Sequence, residues 1–145
     1  MKSRGRLIAI LVVVCFCLTI VTILLYNPIT LHKLRVDLLN AIKGESISIL
    51  EVQSTYGKLN GSGNGTQFLV AVLVKGEETV IAELTAQLKN QYEIVDYMVQ
   101  TESCLDIKYL EHKELTFCTD IESGNYYTVY LYESSCGSFV DIQGH

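Results

Sequence analysis

The stretch FLVAVLVKGEETVIAELTAQL, Phe68 to Leu88, decides the fold class. Its opening run, Phe68 to Val74, is uninterruptedly apolar and too short for a buried helix, so it predicts a central strand covered on both faces. Gly76 then breaks the chain, and Glu77 and Glu78 place negative charge where a helix N-terminus favours it. Val80, Ile81, Leu84 and Leu88 recur at helical spacing and give this helix, which reaches to about Asn90, one buried stripe. A buried strand followed at once by an amphipathic helix calls for a sheet with a helix laid on its face.

Upstream of the strand, GKLNGSGNGT (57–66) holds four glycines and two Asn-Gly steps, a solvated loop suited to reversing two antiparallel strands. It lacks the lysine of a phosphate-binding loop and precedes a strand rather than a helix, so a hairpin is the better reading. Asn60 and Asn64 each begin an N-glycosylation acceptor pattern, which matters only in a eukaryotic secretory pathway. Before the loop, Ser46 to Tyr56 is β-branched and strand-like. Its apolar alternation changes phase between Ile49 and Val52, which predicts a bulge near Ile49. Downstream, Glu93–Gln100, Cys104–Leu110, Glu114–Thr119, Asn125–Glu133 and Ser138–Ile142 read as further strands separated by polar or glycine-containing turns.

At the N-terminus, LIAILVVVCFCLTIVTILLY (Leu7–Tyr26) has no charge, Gly or Pro over twenty residues, enough at a helical rise to span a hydrocarbon core roughly 30 Å thick. Its length and the absence of a small-x-small site set it apart from a cleaved signal peptide. Asn27-Pro28 closes the span and either caps a second helix or kinks the first. From Thr30 to Lys43, Leu31, Leu34, Leu38, Leu39 and Ile42 form a helical stripe that ends at Gly44. The plan is a basic cytoplasmic tail (1–6), a transmembrane helix (7–26), a juxtamembrane amphipathic helix (27–44) and an extracytoplasmic domain (45–145). The fold class is α+β: the transmembrane helix and the short amphipathic helix, then a small domain with a mainly antiparallel sheet and one helix packed on it.

Lys2, Arg4 and Arg6 precede the span, against Lys33 and Arg35 beyond it, which favours the start of the chain in the cytoplasm. All sixteen acidic residues follow Tyr26, with eight basic ones, so the 119 residues there carry a net −8. Such a domain is a poor partner for nucleic acid, and its length excludes a multidomain enzyme. The expected location is the cell membrane, single pass, with an envelope protein as partner; the sequence sets no oligomeric state and calls for no cofactor.

Cys104 and Cys118 lie symmetrically about Glu111, so a hairpin turning there sets them opposite each other, and an exported domain would join them in a disulfide. Cys118 with Cys136 is the other pairing. Cys15 and Cys17 fall inside the apolar run, where Cys serves as a small apolar residue. No Cys-x-x-Cys pair supports zinc, and His32, His112 and His145 have no neighbours that fix a catalytic partner. Tyr126, Tyr130 and Tyr132 share one strand face with Thr128, while Tyr127, Val129 and Leu131 share the other. That tyrosine row and the helical stripe of Leu31, Leu34 and Leu38 are the two surfaces suited to a partner, or else to packing inside the domain. The expected role is a non-catalytic binding or accessory module, with a small envelope hydrolase as a further alternative.

Gly5 after basic residues, an apolar helix, Pro28 about two dozen residues on, an amphipathic continuation and a sheet-rich head with late cysteines together resemble a type IV pilin or pseudopilin. The resemblance covers the first 43 residues and implies a structural subunit cleaved after Gly5. Arg6 stands where that family has Phe, and Ile10 where it has Glu.

Overall fold

The computed structural model describes residues 2–57, 66–92, 94–107, 115–120 and 124–135. The elements are α1 (Lys2–Lys43), β1 (Ser48–Gly57), β2 (Thr66–Lys75), α2 (Glu78–Leu88), β3 (Ile94–Val99), β4 (Cys104–Ile107), β5 (Leu115–Cys118) and β6 (Tyr126–Ser135). The fold is α+β, as the strand-then-helix reading requires. The glycine loop with Asn60 and Asn64, His112, Cys136, His145 and the expected strand Ser138–Ile142 lie outside the described residues.

Helix α1 runs unbroken through Asn27 and Pro28, so no second helix begins there. Proline has no N–H to donate to the preceding turn, which in a helix interior costs about 3 kcal/mol. The chain continues through it because the turns on the C-terminal side are held by tertiary packing: Leu34, Leu38 and Ile42 are buried against the sheet. The N-terminal half has the opposite environment. Its apolar side chains, among them Ile10, Leu11, Val12, Leu18 and Leu25, are exposed, and this helix alone among the described residues is long and apolar enough to cross a membrane. The two threonine hydroxyls within the run are satisfied inside the helix, Thr19 donating to the Cys15 carbonyl and Thr22 to that of Leu18, each at 2.9 Å.

The main sheet has the order β1-β2-β6-β3, every neighbour antiparallel. β2 is central and buried along almost its whole length, as its apolar run demands. The chain passes through helix, strand, strand twice: the second half of α1 with β1 and β2, then α2 with β3 and β6, with β4 and β5 inserted before β6. β2 and β6 pair from Thr66↔Ser135 to Lys75↔Tyr126 and bring the two units together at the centre. This repeat is one of topology, with no repeat in the sequence.

Both helices pack on one face, where Leu34, Leu38, Ile42, Ile81, Leu84 and Leu88 meet Val70, Val72, Val129 and Leu131. The β1 register shifts between Ile49 and Glu51, leaving Leu50 as the extra residue. Without that bulge Ile49 and Val52 would point to opposite faces; with it both pack toward the helices, and Leu50 is exposed. Gly57 closes the strand at φ +151°, a backbone conformation that L side chains rarely adopt.

Candidate functional site

The second face of the sheet carries the tyrosines. Alternation along β6 sends Tyr127, Val129 and Leu131 to the helical side and Tyr126, Tyr130 and Tyr132 to the other, as the sequence pattern predicts. The far side is closed by a separate ribbon, β4 paired antiparallel with β5. Ile107, Leu115 and Phe117 of this ribbon pack with Leu69, Ala71, Leu73, Tyr130 and Tyr132 to form a second core. One helical layer and one ribbon therefore sandwich the sheet, whereas the sequence reading placed a helix on one face only.

The ribbon is pinned at several points. Cys104 lies directly opposite Cys118, with Cα atoms 4.1 Å apart, and the two form a disulfide on the ribbon's exposed side. Cys104–Cys118, not Cys118–Cys136, is thus the pairing. The Gln100 amide, 3% exposed, donates to the carbonyls of Ser103 at 3.3 Å and Phe117 at 3.0 Å. Gln53 of β1 donates to the Thr116 carbonyl at 2.7 Å. On the outer side the Thr116 hydroxyl donates to Asp106 at 2.7 Å.

The two rows suited to a partner are mostly occupied within the fold. Tyr130 and Tyr132 are 3% and 4% exposed beneath the ribbon; Tyr126 is half-buried, with the Lys75 ammonium 5.4 Å from its ring centre. Leu34 and Leu38 lie in the helical core with Leu31 partly buried beside them. The physical reason is common to both sets: each is an apolar row facing an apolar layer of the same chain. Leu34, Leu38, Tyr130 and Tyr132 are buried within the head, while Leu31 and Tyr126 keep part of their surface exposed.

An open groove of about 450 Å³ lies between α1 and α2, lined by residues including Lys33, Asp37, Asn40, Gln87 and Tyr92. In it the Tyr92 hydroxyl donates to the Asp37 carboxylate at 3.1 Å. Burial, reinforced by that carboxylate, pushes the Tyr92 hydroxyl up to about 12. Tyr97 and Tyr127 are also raised, both chiefly by burial; the Tyr97 hydroxyl donates to Glu78 at 3.2 Å. No sequence signal marks the Asp37–Tyr92 pair, whose members are 55 residues apart. Among the described residues no group of three His, Cys, Asp or Glu side chains is placed to hold a metal.

At the sheet's open margin, the Asp96 carboxylate accepts the Tyr97 backbone N–H at 3.0 Å and lies 3.8 Å from the Lys89 ammonium. A charged residue that occupies an edge N–H discourages another strand from adding there. No protein-family model, curated protein or solved structure matches this chain.

Proposed function

We propose that the chain is a single-pass membrane protein whose head is displayed outside the cytoplasm as a non-catalytic binding or accessory module. The observation that carries this reading is the division of α1 into an exposed apolar half and a half built into the head's core. Exposing so much contiguous apolar surface to water is unfavourable, and a bilayer relieves it. Flanking positive charge gives the direction, and an oxidising compartment suits the Cys104–Cys118 bond.

The test is compartment-resolved labelling of intact cells with a membrane-impermeant maleimide, with and without prior reduction, followed by mapping of the head cysteines. Labelling of Cys104 and Cys118 only after reduction supports the reading. Labelling of both after lysis without reductant, and none in intact cells, places the head in the cytoplasm and overturns it.

The unbroken passage of α1 through Pro28 onto an antiparallel sheet favours one second reading, a pilin-like structural subunit. An N-terminus at Arg6 by intact mass, with recovery in filaments, supports it. A retained Met1-Lys2-Ser3 rejects cleavage after Gly5.

A further inference from the structure

We propose that the β4–β5 ribbon is a redox-controlled lid over the tyrosine-bearing sheet face, with the Cys104–Cys118 disulfide as its latch. The latch and the face it guards lie on opposite sides of the ribbon. Cys104 and Cys118 are exposed, with Asp106 and Thr116, while Ile107, Leu115 and Phe117 point inward onto Leu69, Ala71, Leu73, Tyr130 and Tyr132. An external dithiol therefore reaches the sulfurs without disturbing the core first.

The main sheet and the helical core are assembled from residues outside the ribbon. The four strands of the main sheet are paired with one another, and the helical core is formed entirely on the other face. The ribbon is two strands of four residues each, and an isolated two-stranded hairpin is marginal in water. While oxidised, its two legs leave the sheet only as a closed loop; once reduced, they are joined only by the chain between Ile107 and Leu115 and gain the freedom to unpair. Gln100 ties the base of the ribbon to the end of β3, and the bond from Gln53 to the Thr116 carbonyl is one that opening must break.

The exchange is balanced. One thiolate of the dithiol attacks a sulfur of the Cys104–Cys118 bond, and the displaced sulfur leaves as a thiolate and takes up a proton. The second reagent thiol then resolves the mixed disulfide, so the protein gains two thiols and the reagent becomes a disulfide. Closing a loop of roughly 15 residues is worth about 3 kcal/mol, a change of roughly 100-fold in the opening equilibrium.

The experiment uses the full chain in detergent micelles with and without dithiothreitol, read by amide hydrogen exchange and by hydroxyl-radical footprinting of tyrosines. Reduction is expected to speed exchange in β4 and β5 by roughly 100-fold, and to raise the reactivity of Tyr130 and Tyr132. Protection of β2, α2 and the second half of α1 stays within about threefold. A Cys104→Ser/Cys118→Ser double variant reproduces the reduced pattern and no longer responds to the dithiol. Unchanged ribbon exchange on reduction overturns the proposal, and so does a ribbon that loosens while Tyr130 and Tyr132 stay protected. Equal loss of protection across the head also overturns it, because the disulfide would then be a staple of the whole fold.

Discussion

Replacing Leu38 by alanine tests whether the second half of α1 belongs to the head. Leu38 is 0% exposed and packs in the helical core. The substitution removes three carbons, worth about 0.8 kcal/mol each, or about 2.4 kcal/mol of transfer free energy. An incompletely collapsed cavity of about 50 Å³ adds about 1.2 kcal/mol, for a total of about 3.6 kcal/mol, inside the range of about 2–5 kcal/mol for buried leucines. Val36, 37% exposed on the outer side of the same helix, is the control, and its change to alanine costs less than about 1 kcal/mol. Urea unfolding in detergent at about pH 7, followed by near-UV circular dichroism of the tyrosines, measures both. At a slope of about 1.5 kcal/mol/M, Leu38→Ala lowers the midpoint by about 2 M and Val36→Ala by less than about 0.7 M. Equal midpoints for the two variants would refute the docking of α1 on the sheet.

The remaining predictions use the same unfolding assay unless stated. Because the Tyr92 hydroxyl is raised to about 12 in the fold from an unfolded value of 10.0, the native state holds its proton longer. The associated stability is complete below pH 10 and is lost as pH rises through about 12. Tyr92→Phe lowers stability near neutral pH by about 1 kcal/mol and flattens that alkaline decline; an unchanged alkaline slope contradicts the burial of this hydroxyl beside Asp37. Deleting Leu50, the extra residue of the bulge, leaves Ile49 and Val52 on one face and changes stability by less than about 1 kcal/mol. Inserting one residue after Gln53 instead turns Tyr56 away from Phe68, 6.1 Å away in ring centroids, and costs more; equal effects would contradict the register. Phe117→Ala costs about 3–5 kcal/mol of ribbon packing, and hydrogen exchange checks that the loss is concentrated in β4 and β5.

Local pattern carried much of the fold. The apolar run of β2, the phase slip of β1, the stripe of α2 and the symmetry of Cys104 and Cys118 about Glu111 are all short-range signals that tertiary packing reinforces. Alternation also sorted the β6 tyrosines correctly between faces. It does not say what covers a face, however, and a half-apolar tyrosine row fits a partner or an internal lid equally well. The identity of the cover depends on where the chain folds back after β3. Pro28 failed as punctuation for a similar reason: its local penalty is offset by packing of residues 34–42, which no window centred on Pro28 contains. The Asp37–Tyr92 bond and the Gln100 anchor join residues with no shared periodicity, so neither was legible.

The continuity of α1 has a mechanical consequence. At about 1.5 Å per residue, its 42 residues follow a helical path on the order of 60 Å long, with Pro28 inside it. On the anchored reading no non-helical linker separates bilayer from head, so a tilt adopted to match a thinner membrane is passed to the head through α1 and the Pro28 turn within it. Rotation of the helix about its own axis likewise sets the compass direction in which the ribbon faces. Bilayer thickness would then set the bearing of this head, as the footing of a mast sets its rake.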